Sequence, residues 1–141
     1  MSDDDGFKCA TAEALTFTAD KLDPSKVTED EIIGGVDVSG KKSGFELVHE
    51  CFPRFRLTPG ILLAPGFSHS ASVAAVMAAK CTSINTLFKA VCVVDVPTES
   101  VKSYTNVAEW KNTNNIVDPN QIVCWPLISM DGTVYHLSTQ A

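Results

Sequence analysis

Three short apolar runs constrain this chain more than any other feature: Ile61-Leu62-Leu63-Ala64, Ala90-Val91-Cys92-Val93-Val94 and Ile122-Val123-Cys124-Trp125. Each is too short for a core helix and unbroken by polar residues, so it reads as a strand buried on both faces rather than an alternating, half-solvated one. The segments between them follow another period. From Ser68 to Asn85 the apolar residues Val73, Val76, Met77, Cys81 and Ile84 recur every three or four positions, one face of a helix that Ser68 or Ser70 would cap. Thr98 to Trp110 sets Val101, Tyr104, Val107 and Ala108 on a second such face. The alternation predicts an α/β fold, a mostly parallel sheet flanked by helices with right-handed crossovers.

The flanking regions are less regular. Residues 14–19, ALTFTA, alternate like a short half-buried strand, and Asp23-Pro24 marks a turn. Thr28 ahead of Glu29-Asp30-Glu31 predicts a short helix with Thr28 as N-cap and Glu31 as its capping-box partner, stopped by Gly34-Gly35. Residues 37–43 read as a loop, and Gly44 to Phe52 as a helix ended by Pro53. Met130-Asp131-Gly132-Thr133 signals a turn, with Val134 to Leu137 returning as a strand. At 141 residues the chain has the length of one domain. The expected division is a loose acidic leader over 1–13 and a single α/β domain over 14–141.

Charge and cysteine usage narrow the function. The net charge is −6, and it is uneven: residues 1–50 carry −7 and residues 51–141 carry +1. A nucleic-acid binder needs basic surface to displace counterions, so no nucleic-acid partner is expected. No apolar run approaches the ~18 residues of a membrane span, and MSDDDGFKCA lacks the basic and apolar regions of a signal peptide, so no membrane partner is expected. Cysteines 9, 51, 81, 92 and 124 form no CxxC pair and read as free thiols packed like small hydrophobes. His49 and Cys51 alone do not make a zinc site, so no metal is expected.

Ligands of an open parallel sheet gather at the carboxyl ends of its strands. Pro65 to Ser70, Asp95 to Thr98 and Trp125 to Ser129 would occupy that rim. The first lacks the lysine and glycine spacing of a phosphate loop, leaving only a generic anion preference at a helix start. Gly66-Phe67-Ser68-His69-Ser70 has the placement of a nucleophile elbow, and Ser68, Asp95 and His136 follow one another in hydrolase order. The bulk of Phe67 and His69 argues against so tight a turn. The plainer expectation is that Ser68 and Ser70 cap a helix, Asp95 ends a strand and His136 sits on a hairpin. Glu29, Asp30 and Glu31 read as helix N-terminal charges. Phe52, Arg54, Phe55 and Arg56 form a small basic-aromatic cluster, packed on the core or serving as a protein-contact anchor. The expectation is therefore a non-enzymatic domain with no catalytic, metal or cofactor residues. A serine hydrolase using Ser68, Asp95 and His136 is the alternative.

Several segments in order resemble one family. Asp23-Pro24-Ser25-Lys26-Val27-Thr28 with DEIIGGV at 30–36, Glu46-Leu47-Val48 leading to Phe52-Pro53-Arg54-Phe55, and Pro59-Gly60 through Ala64-Pro65-Gly66 resemble segments of contractile phage tail sheath proteins. So do Glu109-Trp110-Lys111-Asn112, Asn114-Asn115, Gln121 to Pro126, and Tyr135-His136-Leu137-Ser138-Thr139. The resemblance covers about residues 15–139. It implies a virion component with a subtilisin-like α/β central domain that lacks a protease triad. Such subunits stack as hexameric rings around the tail tube protein, assemble in the bacterial host cytoplasm, and contract to drive the tube through the envelope for genome ejection. The family's members are longer and continue into a C-terminal domain, so this chain resembles a phage or prophage sheath fragment lacking that domain.

Overall fold

In a computed structural model, which describes residues 26–140, the three apolar runs come together as one parallel sheet. β3 (Ile61–Leu62), β4 (Val91–Asp95) and β5 (Gln121–Cys124) lie side by side in that order. Leu62 is opposite Cys92, and β5 runs in register from Cys92↔Gln121 to Asp95↔Cys124. The expected leader over 1–13, the strand over 14–19, the Asp23-Pro24 turn and Cys9 lie outside the described residues.

The helix α3 (Ala71–Thr82) leads from β3 to β4 and buries Val73, Ala74, Met77, Ala78 and Cys81. Those side chains pack with Leu62, Cys92 and Val94 of the sheet, and Val123 joins them. Side chains alternate between faces along a strand, so these residues share the helix-covered face. The Gln121 Nε2 donates to the Ala74 carbonyl at 3.2 Å, binding β5 to the same helix. Burial on both faces is confined to β4, where Cys92 to Asp95 are all buried. Ile61 and Ile122 lie half-exposed, which corrects the expectation that all three runs are doubly covered. In a sheet of three strands the outer two are edges with fewer neighbours.

The helix of the second crossover is shorter than expected. The chain turns at Pro97, whose carbonyl accepts from the amides of Ser100 and Val101, and Ser103 caps a 3-10 turn at Tyr104–Asn106. Only then does α4 (Val107–Thr113) begin. The Thr98-to-Trp110 periodicity thus spans a turn and two helical pieces. Val101 and Trp110 reach inward while Tyr104 and Ala108 are exposed. The first helix is also shorter than its Ser68-to-Asn85 pattern. Ile84 is buried beyond α3 through a bridge to Phe88.

Around this unit, α1 (Glu29–Ile33) starts and stops as expected. The Thr28 amide donates to Glu31 Oε2 at 2.8 Å, and Gly34 ends the helix at φ 68°. Residues 37–43 are not a plain loop. β1 (Gly35–Val36) and β2 (Lys42–Ser43) pair antiparallel around a tip where Asp37 Oδ1 accepts from the amides of Ser39 and Lys41. Gly44–Glu50 is a 3-10 helix, followed by α2 (Cys51–Phe55). Pro53 stands inside α2 rather than ending it, because a first-turn residue has no helical amide bond to lose. Arg56 in the left-handed region stops it instead. β6 (Ile128–Met130) and β7 (Thr133–Tyr135) form a hairpin closed by Asp131 and Gly132, both with positive φ. That is the type I′ turn that Asp-Gly favours. The returning strand ends at Tyr135, and a 3-10 turn at Leu137–Gln140 follows His136.

Candidate functional site

At the carboxyl end of β4 the sheet delivers a buried carboxylate. Asp95 is 2% exposed, and no lysine or arginine pairs with it among the described residues. After β3, the amides of Phe67 and Ser68 close back on the Ala64 carbonyl at 2.9 and 2.8 Å, with Gly66 supplying the positive φ of the turn. This turn carries Ser68 inward to 1% exposure, and its Oγ donates to Asp95 Oδ2 at 2.5 Å. From the chain's other end, the Ser138 amide donates to Asp95 Oδ1 at 3.1 Å, and the Ser138 and Ser68 hydroxyls lie 3.4 Å apart. His136 Nδ1 is 4.0 Å from Asp95 Oδ2, and its ring stacks on His69 with centroids 5.5 Å apart and planes 8° from parallel. Opposite Asp95 in register, the Cys124 thiol is pushed up by burial and then by the Asp95 charge.

Ser68, Asp95 and His136 therefore do converge: Asp95 ends β4 as expected, but Ser68 does not cap α3 and His136 lies just past the β6–β7 hairpin beside Asp95. Ser68 is not a helix cap, since α3 begins at Ala71 with Ser70 ahead of it. The order of contacts is not that of a nucleophile. A serine nucleophile must present its hydroxyl to a base that can take the proton. Here the hydroxyl points at the carboxylate, no histidine hydrogen-bonds Ser68 among the described residues, and Ser68 is shielded from solvent. What this arrangement does chemically is hold a buried negative charge with a hydroxyl and a backbone amide. It thereby ties the β3 turn, the end of β4 and the C-terminal segment together. His69 and Ser138 were missed as members. Neither stands in a periodic pattern, and only the fold brings them beside Asp95.

The other candidates are placed as follows. The anion position at the start of α3 is taken by the chain itself: Glu29 Oε2 accepts from Ser70 Oγ at 2.7 Å and from Ser72 Oγ at 3.2 Å. Thus Glu29 serves two helices, at the first turn of α1 and the N-terminus of α3. Trp125 leaves the rim, donating Nε1 to the Val101 carbonyl at 2.9 Å. In the basic-aromatic cluster, Arg54 Nε meets Glu50 Oε2 at 3.2 Å, and Lys42 Nζ meets Glu50 Oε1 at 2.5 Å. These two cations hold the Glu50 carboxyl below its usual range. Cys81, Cys92 and Cys124 are free thiols, and no group of three or more metal-ligating side chains gathers among the described residues. Nor is any described helix long and apolar enough to cross a membrane. Comparison with family models, curated proteins and solved structures returns no match to this chain.

Proposed function

We propose that this chain is a non-enzymatic structural domain of a contractile phage tail sheath, with a subtilisin-like α/β body. The observation that carries the reading is the ordered series of sheath-like segments from Asp23 to Thr139, each in the family's sequence order. A sheath subunit must keep its core while its neighbours slide and rotate, and must make contacts that differ between two packings. The parallel sheet with α3 against it, cross-tied at Asp95, suits the first need. The Arg54-Phe55 corner of α2, on the rim of that body, is a candidate for the second. The subunits would assemble as hexameric rings around the tube protein in the host cytoplasm and work in the virion tail. The test is Arg54→Ala with Phe55→Ala in the full-length sheath gene product, co-expressed with its tube. Electron microscopy is expected to show loss of sheath rings while circular dichroism stays unchanged. Normal sheaths would remove the assigned contact, and a wild-type product that forms no rings would remove the sheath reading.

A serine hydrolase is the second reading, favoured by the convergence of Ser68, Asp95 and His136. The buried, carboxylate-bound hydroxyl argues against it. A fluorophosphonate that reacts with activated serines is expected to leave the folded chain unlabelled. Labelling abolished by Ser68→Ala would replace the structural reading with this one.

A further inference from the structure

The knot at Asp95 is not fully satisfied. A buried carboxylate needs a cation or a full set of hydrogen-bond donors. Asp95 has two donors, the Ser68 hydroxyl on Oδ2 and the Ser138 amide on Oδ1, and no lysine or arginine pairs with it among the described residues. The group beside it that can become a cation is His136, whose Nδ1 stands 4.0 Å from Oδ2, beyond hydrogen-bond reach. That nitrogen is buried and has no hydrogen-bond partner among the described residues, and the same holds for His69 Nδ1. Buried polar atoms are ordinarily paired, so two unpaired imidazole nitrogens beside an unneutralised carboxylate call for an occupant.

The occupant has to be small. Both nitrogens are shielded from solvent, so no molecule the size of water touches them while the fold is closed. A proton is not so limited, because the His136 side chain is itself 30% exposed. Histidine is also the side chain whose charge ordinarily changes between about pH 5 and 8.

We propose that His136 is a proton-operated latch on the C-terminal segment. A proton from solvent turns the ring into a cation with N–H on both nitrogens, and the Nδ1–H closes onto Asp95 Oδ2. That bond is charge-assisted and lies beside the one from Ser68, since a carboxylate oxygen accepts more than one donor. The ionisable groups around the ring set the direction of the response. Asp95, at the end of β4, favours the proton. His69, from the turn after β3, lies parallel to the ring with centroids 5.5 Å apart, so a second proton would set two like charges face to face. The Cys124 thiol of β5, pushed up by burial and by the Asp95 charge, stays neutral. The two histidines therefore take up one proton between them. Its effect is local. The Ser138 amide on Asp95 and the Thr139 amide on the His136 carbonyl hold the 3-10 turn Leu137–Gln140 at the end of β4. Mild acid tightens that hold and alkali relaxes it. The latch belongs to the fold and works whether or not the chain is a sheath subunit.

Solvent-exchange NMR of the intact chain tests it through the Ser138 amide. Exchange rates are divided by their intrinsic values to give protection factors at about pH 8 and about pH 5.5, near the two ends of the histidine range. Ser138 is expected to gain about threefold or more in protection at the lower pH, while the Ser39 amide of the β1–β2 tip stays unchanged. His136→Gln, whose side chain takes up no proton, is expected to abolish the gain. Asp95→Asn removes the charge but keeps an acceptor for Ser68 and Ser138, and is expected to abolish it as well. Protection of Ser138 that is unchanged or weaker at the lower pH overturns the proposal. So does a gain that survives in either variant, or one that Ser39 shares equally.

Discussion

Ser68 and Asp95 concentrate the chemistry of this chain at the scale of single residues. A hydrogen bond to a charged group contributes roughly 1.5–3 kcal/mol, and removing one partner leaves the other buried and under-satisfied. Ser68→Ala is therefore expected to lower urea-unfolding stability by about that amount, roughly 1.5–3 kcal/mol. Asp95→Ala should lower it further, because both the Ser68 hydroxyl and the Ser138 amide then lose their acceptor. Equal effects of the two changes would mean that the Ser138 contact contributes nothing. The Glu50 carboxyl gives a pH-dependent counterpart. Lys42 and then Arg54 hold it below its usual range. A depressed carboxyl stabilises the fold above its unfolded value, near ~4.3, and that contribution is lost as pH falls through the lower folded value. The 42–54 region should thus loosen on acidification below about pH 4. Thermal melts of Glu50→Gln should lack that part of the acid dependence. At this scale the sequence named Ser68, Asp95 and His136 but not their contacts. They lie 27 and 41 residues apart along the chain, and no periodicity encodes which way a loop side chain turns.

Among the elements, the join between α1 and the β2 corner turns on two glycines. Both have positive φ, and each passes against the other's backbone: a Cβ on Gly34 would lie 2.0 Å from the Ser43 carbonyl oxygen, and one on Gly44 2.5 Å from the Ile32 carbonyl oxygen. Backbone cannot yield as a flexible side chain can. Gly34→Ala is expected to lower the melting temperature by several degrees and to separate α1 from the 3-10 helix Gly44–Glu50, with a matching loss in Gly44→Ala. Gly35→Ala is the control, since its Cβ would meet nothing within 4 Å. Local signals were readable where a few adjacent residues decide the outcome, as in the Thr28-Glu31 capping box and the Asp131-Gly132 turn. They failed where two local rules compete. Pro53 reads as a helix stop but sits in a first turn, and the Thr98-to-Trp110 periodicity crosses a turn anchored on the Pro97 carbonyl.

For the molecule as a whole, α3 packs against β4 in the core, with Val73, Ala74, Met77, Cys81, Cys92 and Val94 all removed from water. Met77→Ala should cost about 2–5 kcal/mol of unfolding free energy, the range for truncating a buried large side chain. The hydrogen bond with Cys92, and then burial, raise the Cys81 thiol, so iodoacetamide should label it only after denaturant is added. By itself the amino-acid sequence determined the parallel α/β unit, because unbroken apolar runs and helical spacing report local burial, and burial is what folding optimises. It also determined the caps and the hairpin turn. Tertiary structure alone decided which runs are edges, that Glu29 occupies the start of α3, and that Ser68, Asp95, Ser138 and His136 share one knot. Those outcomes depend on contacts between segments brought together only when the sheet closes, and their free energy belongs to no stretch of chain read alone.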